Sequence, residues 1–219
     1  LSLHDALPIS LHVIYHALWK AADWLYPPYC GGCGQFGQRW CDHCQAQVQT
    51  ITETVCPCCG TPQPAPQLCA HCQQSQPPYQ ALRSWAVYRE PLRRAIHQLK
   101  YAGDMGLAES FGPPLLSFLL QQNWDFNCII PVPLNPKRQA ERGYNQSTLL
   151  AIPLATALRQ PLRTQILRRS RETVSQTKLS AAERKHNMLG AFTASPIQNQ
   201  SVLLDRKSTR LNSSHRIRS

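Results

Sequence analysis

The chain has 219 residues, of which 42% are hydrophobic and 16% charged, and its formal net charge is +11 at pH 7. This length can form one large domain or two small ones and is sufficient to bury a core. A membrane-spanning helix needs roughly 20 consecutive apolar residues, whereas the longest apolar run is LLSFLL at 115–120. The composition therefore predicts a soluble, cytoplasmic protein that does not insert into a membrane.

The two ends of the chain resemble common sequencing-adapter DNA translated in one frame. They are LSLHDALPIS at 1–10 and the segment 205–219, which begins DRKSTRLNSSH. We set both aside from the fold prediction and expect 205–219 to be disordered. The remaining residues, 11–204, carry 18 basic and 10 acidic side chains, so the formal charge falls to +8.

An amphipathic helix is predicted near the amino terminus, within 11–29. In LHVIYHALWKAADWLYP, at 11–27, the apolar residues Ile14, Leu18 and Leu25 fall on one helical stripe. The polar face lacks a basic cluster, which favours packing on the body of the protein over binding to a membrane surface.

The first third of the chain is rich in cysteine, and eight of the ten cysteines form four CxxC pairs. The pairs are Cys30/Cys33, Cys41/Cys44, Cys56/Cys59 and Cys69/Cys72. Two thiolates separated by two residues can bind one tetrahedral metal ion from a tight turn, and Gly34 and Gly60 permit the positive φ that such a turn often needs. Four pairs predict two Cys₄ zinc sites in a double zinc ribbon at 30–78, in preference to disulfides or an iron–sulfur cluster.

Two ways of pairing the CxxC motifs are compatible with the sequence. Sequential pairing gives two tandem ribbons and alternating pairing gives a cross-braced module; we favour the tandem ribbons. With eight thiolates on two zinc ions, the charge of 11–204 falls to about +4, so net charge alone does not indicate nucleic-acid binding. A closed Cys₄ site predicts a structural or partner-binding role rather than catalysis.

Four other cysteine and histidine residues are expected to bind no metal. Cys58 lies inside a CxxC turn and is predicted to be a bystander, while Cys128 lies in an apolar strand and is predicted to belong to the core. His43 and His71 also lie inside CxxC turns, where each would be a fifth ligand. We therefore expect both histidines on the surface.

A second domain is predicted at 79–204, after a polar, proline-rich linker that ends near Pro78. Strand and helix patterns alternate there, which predicts an α/β domain with a largely parallel sheet. The predicted strands are 84–88 and 127–132, and the predicted helices run from Pro91 to Gly103, from 107 to 121 with an interruption at Pro113 and Pro114, and from 147 to 158 with a kink or restart at Pro153.

A basic segment follows the second predicted strand. PVPLNPKRQAERGYNQS, at 131–147, is predicted to be a proline-stiffened loop at the carboxyl end of that strand, where ligands collect in parallel sheets. Lys137, Arg138 and Arg142 supply cations that match phosphate oxygens, and Gly143 would let the backbone approach a ligand closely.

A second basic segment lies at 167–192. Its first part is polar and aperiodic, which predicts a mobile lid, and Ser180 and Glu183 then form an S-x-x-E capping box that begins a short helix. The basic and polar side chains of the segment include Arg168, Arg169, Arg171, Thr173, Gln176, Arg184 and Lys185. Two cationic segments on one α/β sheet predict a polyanionic ligand.

Over 27–204 the chain resembles the ComF family of bacterial competence and DNA-utilisation proteins, in the form that has an amino-terminal double zinc ribbon. The resemblance rests on the four CxxC pairs, LKYAGD around Lys100, PVPLNPKRQAERGYNQS and RSRETVSQTKLSAAERKHNMLGAF. It implies a type I phosphoribosyltransferase-like domain that binds phosphoribosyl pyrophosphate with Mg²⁺, with 133–138 against pyrophosphate and 168–184 closing over it. The implied ligand-binding residues are Lys137, Arg138, Arg142, Asn145, Arg171, Gln176 and Arg184.

The chain departs from the family pattern after Leu204. The family has two acidic residues and a Thr-Thr-Gly turn there, which bind ribose hydroxyls, metal and the 5′-phosphate. This chain instead reads VLLDRKSTRLNSSH. We therefore expect the domain at 79–204 to be incomplete and the chain as written to be inactive, with no catalytic residue assigned.

Three functions remain open at this stage. The first is a ComF-type phosphoribosyltransferase-fold protein of DNA uptake or utilisation, which binds phosphoribosyl pyrophosphate in its intact form. The second is a true transferase that acts on an unknown acceptor. The third is a single-stranded nucleic-acid-binding zinc-ribbon protein without transferase activity, in which exposed Trp40 or Trp85 would stack on bases. The expected partners are phosphoribosyl pyrophosphate and either single-stranded DNA or the DNA-uptake machinery.

Overall fold

The structure of the protein is a computed structural model. It describes residues 21, 23–171, 173, 180, 183, 187–197, 200–205 and 214–217. The helix predicted within 11–29 lies mostly outside these residues, and its described part, residues 21 and 23–25, is helical. No helix among the described residues combines the length and the apolar character that a membrane crossing requires.

Each zinc ribbon ends in a short helix that begins directly after a cysteine. Helix α1, Asp42–Ala46, follows Cys41, and helix α2, Ala70–Gln74, follows Cys69. The last cysteine of each ribbon, Cys44 or Cys72, is therefore carried on the helix, where its side chain is buried. The two ribbons therefore share the same local structure at this end.

The main sheet has four strands, β1 Tyr79–Arg83, β2 Cys128–Pro131, β5 Val202–Asp205 and β6 Ser214–Ile217. Their order across the sheet is β1-β6-β5-β2. Strands β2 and β5 are parallel, whereas β6 is antiparallel to both β5 and β1. The structure confirms an α/β fold that follows a small amino-terminal zinc ribbon, although the sheet is mixed rather than largely parallel.

Strand β6 differs from the sequence prediction, because it lies within 205–219, where we expected disorder. Its backbone pairs with β5 on one side and with β1 on the other. The edges of β1 and β5 present unpaired N–H and C=O groups, and an extended segment between them satisfies both rows.

Helices cover one face of strand β2. The remaining elements are α3 Leu92–His97, α4 Leu107–Gln121, α5 Pro136–Arg142, α6 Gln146–Ala157, and a hairpin of β3 Leu167–Arg169 with β4 Phe192–Ala194. Ile129 packs with Leu119 of α4 and Leu154 of α6, whereas its neighbours Cys128 and Ile130 pack on the opposite face with Val202. All four residues of β2 are buried, as a strand covered on both faces requires.

The strand predicted at 84–88 is wrong in its placement. The sheet strand ends at Arg83, and Trp85 and Ala86 instead lie beside the segment that connects the two ribbons. The Ile51 N–H donates to the Trp85 carbonyl at 3.2 Å, and Ala86 forms an isolated antiparallel bridge with Thr50. The sequence predicts the extended conformation at 84–88. It does not predict the pairing partner, because that segment lies in the cysteine-rich third of the chain.

Prolines do not interrupt the two long helices. Helix α4 continues through Pro113 and Pro114, and α6 through Pro153, contrary to the predicted breaks. An interior proline costs about 3 kcal/mol in an isolated helix. Here α4 and α6 pack closely at Gly112. Glycine has no Cβ, and a Cβ built at this position would lie only 2.9 Å from the Pro153 Cβ. Tertiary burial of both helices offsets the local penalty.

The first ribbon shares a hydrophobic core with the second domain. Trp40 packs edge-on against Phe111 of α4 with a ring-centroid distance of 5.2 Å. Cys30, Leu92 and Leu99 belong to the same buried cluster. The buried cysteines of the second ribbon form a cluster of their own, against which Tyr79 of β1 packs. The boundary near Pro78 stays a prediction.

Replacing Trp40 with alanine is expected to lower the free energy of unfolding by about 3–5 kcal/mol, because it removes the indole that packs on α4 and leaves a cavity between the ribbon and the helix. Urea denaturation of the zinc-loaded protein measures this change. Phe36→Ala is the matched control, since Phe36 is 62% exposed in the same ribbon. Equal losses for the two variants would contradict a shared core.

Candidate functional site: two metal centres and a cationic cleft

The eight CxxC cysteines gather into two separate clusters. One contains Cys30, Cys33, Cys41 and Cys44, the other Cys56, Cys59, Cys69 and Cys72, and the sulfur atoms within each lie within 4.8 Å of one another. The pairing is therefore sequential, which confirms tandem ribbons. None of the ten cysteines, all within the described range 23–171, forms a disulfide.

The sulfur geometry fits tetrahedral zinc. A Zn–S bond of about 2.3 Å places the sulfurs of a tetrahedral site about 3.8 Å apart. The Cys33 and Cys41 sulfurs are 3.7 Å apart, and those of Cys59 and Cys69 are 3.6 Å apart. The residues present therefore fit the ion that four thiolates in a ribbon bind most often.

Backbone N–H groups prepare one thiol of each cluster for metal binding. Burial raises the pKa of the Cys30 thiol, but N–H groups of Cys33 and Cys41 donate to its sulfur, and the pKa falls to about 6. Cys56 has the same arrangement and a pKa of about 6. Burial raises the pKa of Cys44 instead, so that thiol depends on the ion itself to lose its proton.

The cysteines and histidines expected to bind no metal lie outside both clusters. Cys58 is buried beside the second cluster, and Cys128 is buried in strand β2. His43 and His71 are exposed. The structure confirms that Cys128 belongs to the core and that both histidines lie on the surface.

A cationic cleft of about 720 Å³ is the second feature of the site. Helix α5 contributes Lys137, Arg138 and Arg142, and the turn after α3 contributes Lys100. Among the described residues that line the cleft, Glu141 is the only carboxylate. Four cations that face one open space favour a ligand with several negative charges.

Lys100 is placed by a π-helical turn, Gln98–Ala102, that continues α3 and ends at Gly103 with a φ of 78°. Burial lowers the pKa of Lys100, and the guanidinium groups of Arg142 and Arg138 lower it further. The turn also carries Tyr101, whose ring lies under the Arg142 guanidinium at 5.3 Å. Such π-turns are frequent at functional sites because they redirect side chains from the regular helical face.

The segment 136–142 is helical, although the sequence predicts a loop there. Asn135 begins the helix, since its side chain accepts a hydrogen bond from the Lys137 N–H at 3.0 Å. Gly143 ends it with a φ of 80°. The role of Gly143 is therefore to cap α5, which brings Arg138 and Arg142 to the cleft one helical turn apart.

The predicted ligand-binding residues divide into three groups. Lys137, Arg138 and Arg142 line the cleft. Asn145 lies behind it, where its side chain caps α6 and donates to the Val132 carbonyl at 3.0 Å. The other predicted residues are Arg171, Gln176 and Arg184.

Arg171 does not point its donors into the cleft. Its guanidinium donates to the carbonyls of Asn187 at 3.0 Å and Leu189 at 2.8 Å, which ties together two parts of the basic segment. Gln176 and Arg184 lie outside the described residues. The Ser180–Glu183 capping box is formed, with the Ser180 N–H 2.7 Å from the Glu183 carboxylate.

Seven residues that line the cleft are absent from the predicted ligand-binding set. They are Lys100, Tyr101, Gly103, Asn135, Glu141, Tyr144 and Thr173. Arg169 of β3 donates to the Thr173 hydroxyl, and its pKa is lowered by burial and then by the charge of Arg138. The LKYAGD motif continues the helical pattern and gives no sign of the π-turn that brings Lys100 to the cleft.

Comparison with known proteins identifies first the class of the cysteine-rich part. The sequence profile of the double zinc ribbon domain matches residues 21–73. This range contains both Cys₄ clusters, so the protein has two zinc-binding ribbons. No solved structure matches the chain significantly.

The chain belongs to the ComF family. It is 35% identical over 171 residues, 75% of each chain, to the "DNA utilization protein YhgH" of Shigella flexneri. It is 30% identical to the "Competence protein F" of Haemophilus influenzae over 73% of this chain and 72% of that one. The "Competence protein ComFC" of Bacillus subtilis is 27% identical over 57% of this chain and 55% of that one.

Metal analysis of the purified protein is expected to return about two zinc ions per chain, and Cys44→Ser about one, because each cluster forms one closed tetrahedral site. Inductively coupled plasma mass spectrometry measures both values. Cys58→Ser is the control and should retain about two ions, since Cys58 lies outside both clusters. A zinc content near zero in the wild type would contradict the assignment.

Proposed function

We propose that the cationic cleft binds phosphoribosyl pyrophosphate and that the protein acts in DNA uptake or utilisation. The observation that carries the first part is the convergence of Lys100, Lys137, Arg138 and Arg142 on one cleft. Charge-assisted bonds from such groups are about twice as strong as neutral ones, and arginine forks match phosphate oxygens in pairs.

The lowered pKa of Lys100 supports an anionic ligand. Burial and two neighbouring guanidinium groups disfavour its charged form. A diphosphate between Lys100, Arg138 and Arg142 removes that repulsion, because each cation then faces negative oxygens. The free cleft therefore holds electrostatic strain that a polyanion relieves.

Mg²⁺ would enter this cleft on the diphosphate rather than in a prepared site. Carboxylate oxygens are its usual protein ligands, and among the described lining residues only Glu141 offers one. When bound, the ion would neutralise part of the diphosphate charge. The lysine and arginine donors of the cleft match the phosphate oxygens of the ligand.

The DNA-related role rests on the named relatives. Two of them carry the names DNA utilization protein and competence protein, and each matches more than two thirds of this chain. A phosphorylated-sugar site beside two zinc ribbons is compatible with a protein that handles nucleotides or their precursors. The cytoplasm, where phosphoribosyl pyrophosphate is made, is the corresponding compartment.

Arg138→Ala is expected to weaken binding of phosphoribosyl pyrophosphate with Mg²⁺ by about ten- to a hundredfold, the range for loss of a charge-assisted hydrogen bond. Isothermal titration calorimetry measures the affinity. Arg93→Ala is the matched control, because Arg93 is an exposed arginine of α3 that pairs only loosely with Glu90, at 3.7 Å. Absence of saturable binding by the wild type, or equal losses for the two variants, would reject the proposed ligand.

Single-stranded nucleic-acid binding is the second candidate, but not through the tryptophans first considered. Trp40 is 9% exposed and Trp85 is 5% exposed, so neither can stack on a base. The first ribbon does present Tyr29 and Phe36, which are 64% and 62% exposed and meet edge to face at 5.4 Å. Exposed aromatic pairs of this kind are typical of base-stacking surfaces.

The double variant Tyr29→Ala/Phe36→Ala is expected to weaken binding of a labelled oligothymidine by about fivefold or more, since each stacked base contributes about 1–3 kcal/mol. Fluorescence anisotropy at several salt concentrations measures the affinity. The same variant should bind phosphoribosyl pyrophosphate like the wild type. Unchanged oligothymidine binding would remove this surface as the DNA site.

A further inference from the structure

Arg39 connects three parts of the protein. It lies in the first ribbon, two residues before the zinc ligand Cys41. Its guanidinium binds Asp23 of the amino-terminal helix at 2.5 Å and Asp104 at 2.6 Å. Asp104 directly follows Gly103, the residue that ends the π-turn of the cleft.

The ion pair between Arg39 and Asp104 is largely buried. The side chains of Arg39 and Asp104 are 19% and 20% exposed. The Arg39 side chain passes close to Gly106, where an added Cβ would be 2.3 Å from the Arg39 Nε. Charged groups held in this way cannot exchange freely with water, and removal of Arg39 leaves two partly buried carboxylates without their shared partner.

Arg39 is also fixed on the ribbon side. Its backbone carbonyl accepts a hydrogen bond from the Gly31 N–H at 2.9 Å, inside the turn formed by the first CxxC pair. An added Cβ at Gly31 would meet the Leu107 side chain at 2.8 Å, so the turn sits directly on the start of α4. The position of the guanidinium therefore depends on the fold of the first zinc ribbon.

The π-turn is held at both ends. At its start the Tyr144 hydroxyl donates to the Leu99 carbonyl at 2.6 Å. At its end Asp104 is held by Arg39. Between these two points lie Lys100 and Tyr101, which line the cleft.

We propose that Arg39 is a positioning residue of the anion cleft, through which the first zinc ribbon sets the place of Lys100 and Tyr101. The inference rests on the proposed function, because it takes the cleft to bind a diphosphate. Arg39 itself does not line the cleft. Its effect reaches the ligand by way of Asp104 and the π-turn.

The test measures binding of magnesium pyrophosphate by calorimetry to Arg39→Met and Asp104→Asn proteins. Both variants should bind about three- to thirtyfold more weakly, the usual range for residues that transmit coupling between sites. Asp104→Asn is the sharper variant. It removes a negative charge near a cationic cleft, so electrostatics alone predicts tighter binding, whereas loss of positioning predicts weaker binding.

Arg93→Met is the matched control, since it removes a charge from α3 outside the cleft and should bind like the wild type. Zinc content reports whether each variant keeps both ribbons. If Arg39→Met loses zinc, Asp104→Asn decides the question, because it leaves the ribbon sequence intact. Wild-type or tighter binding by Asp104→Asn would overturn the proposal.

A ligand-free measurement separates this inference from the proposed function. In amide NMR spectra, Arg39→Met should shift the resonances of Tyr101 and Gly103 and leave that of Ile129 in strand β2 unchanged. If the wild type binds no pyrophosphate but these shifts occur, the proposed ligand fails and the positioning role stands. If the resonances of the turn stay in place, the positioning role is wrong whatever the cleft binds.

Discussion

The packing of the first zinc ribbon on helix α4 is the constraint on which the rest of the structure depends. Four thiolates close the ribbon, and Gly31 lets its first turn sit against the start of α4, where an added Cβ would lie 2.8 Å from the Leu107 side chain. An added Cβ at Gly32 would lie 2.7 Å from the Cys44 sulfur and 2.9 Å from Trp40. The metal centre therefore has a structural consequence beyond the ribbon, because Trp40 completes the core that carries α3 and the π-turn.

The cleft depends on that core in a different way. Burial and then the charges of Arg142 and Arg138 lower the pKa of Lys100, and the cations remain together because rigid elements hold them. Helix α5 presents Arg138 and Arg142, and the π-turn presents Lys100. A preorganised set of charges binds a polyanion without the cost of gathering flexible side chains. Stability of the scaffold thus compensates for the unfavourable electrostatics of the clustered cations.

Local patterns predicted the metal centres and the main helices correctly. Cysteine spacing is a local property, and a CxxC turn forms its half-site from four consecutive residues. The helix predicted from Pro91 to Gly103 was correct in extent, since Leu92, Ile96 and Leu99 are all buried on one face. The basic segment at 131–147 was also correctly linked to a strand end, although 136–142 proved helical.

Non-local partners explain what the sequence did not predict. The strand at 84–88 was misplaced because Trp85 and Ala86 lie beside the inter-ribbon segment. The predicted breaks at Pro113 and Pro153 did not occur because α4 and α6 bury each other. In each case the stabilising contacts are made with residues distant in the chain, so a short stretch of sequence does not reveal them.

By itself the sequence determined two Cys₄ sites, a helix ending at Gly103 and a cationic segment after strand β2. Their chemistry is set by residue type and spacing, and both can be read from the sequence without the fold. Only the tertiary structure decided that the first ribbon belongs to the core of the second domain, that Lys100 faces Arg142, and that Arg39 meets Asp104. These are contacts between residues some 40 to 70 positions apart, and their geometry exists only once the helices and the ribbon have packed together.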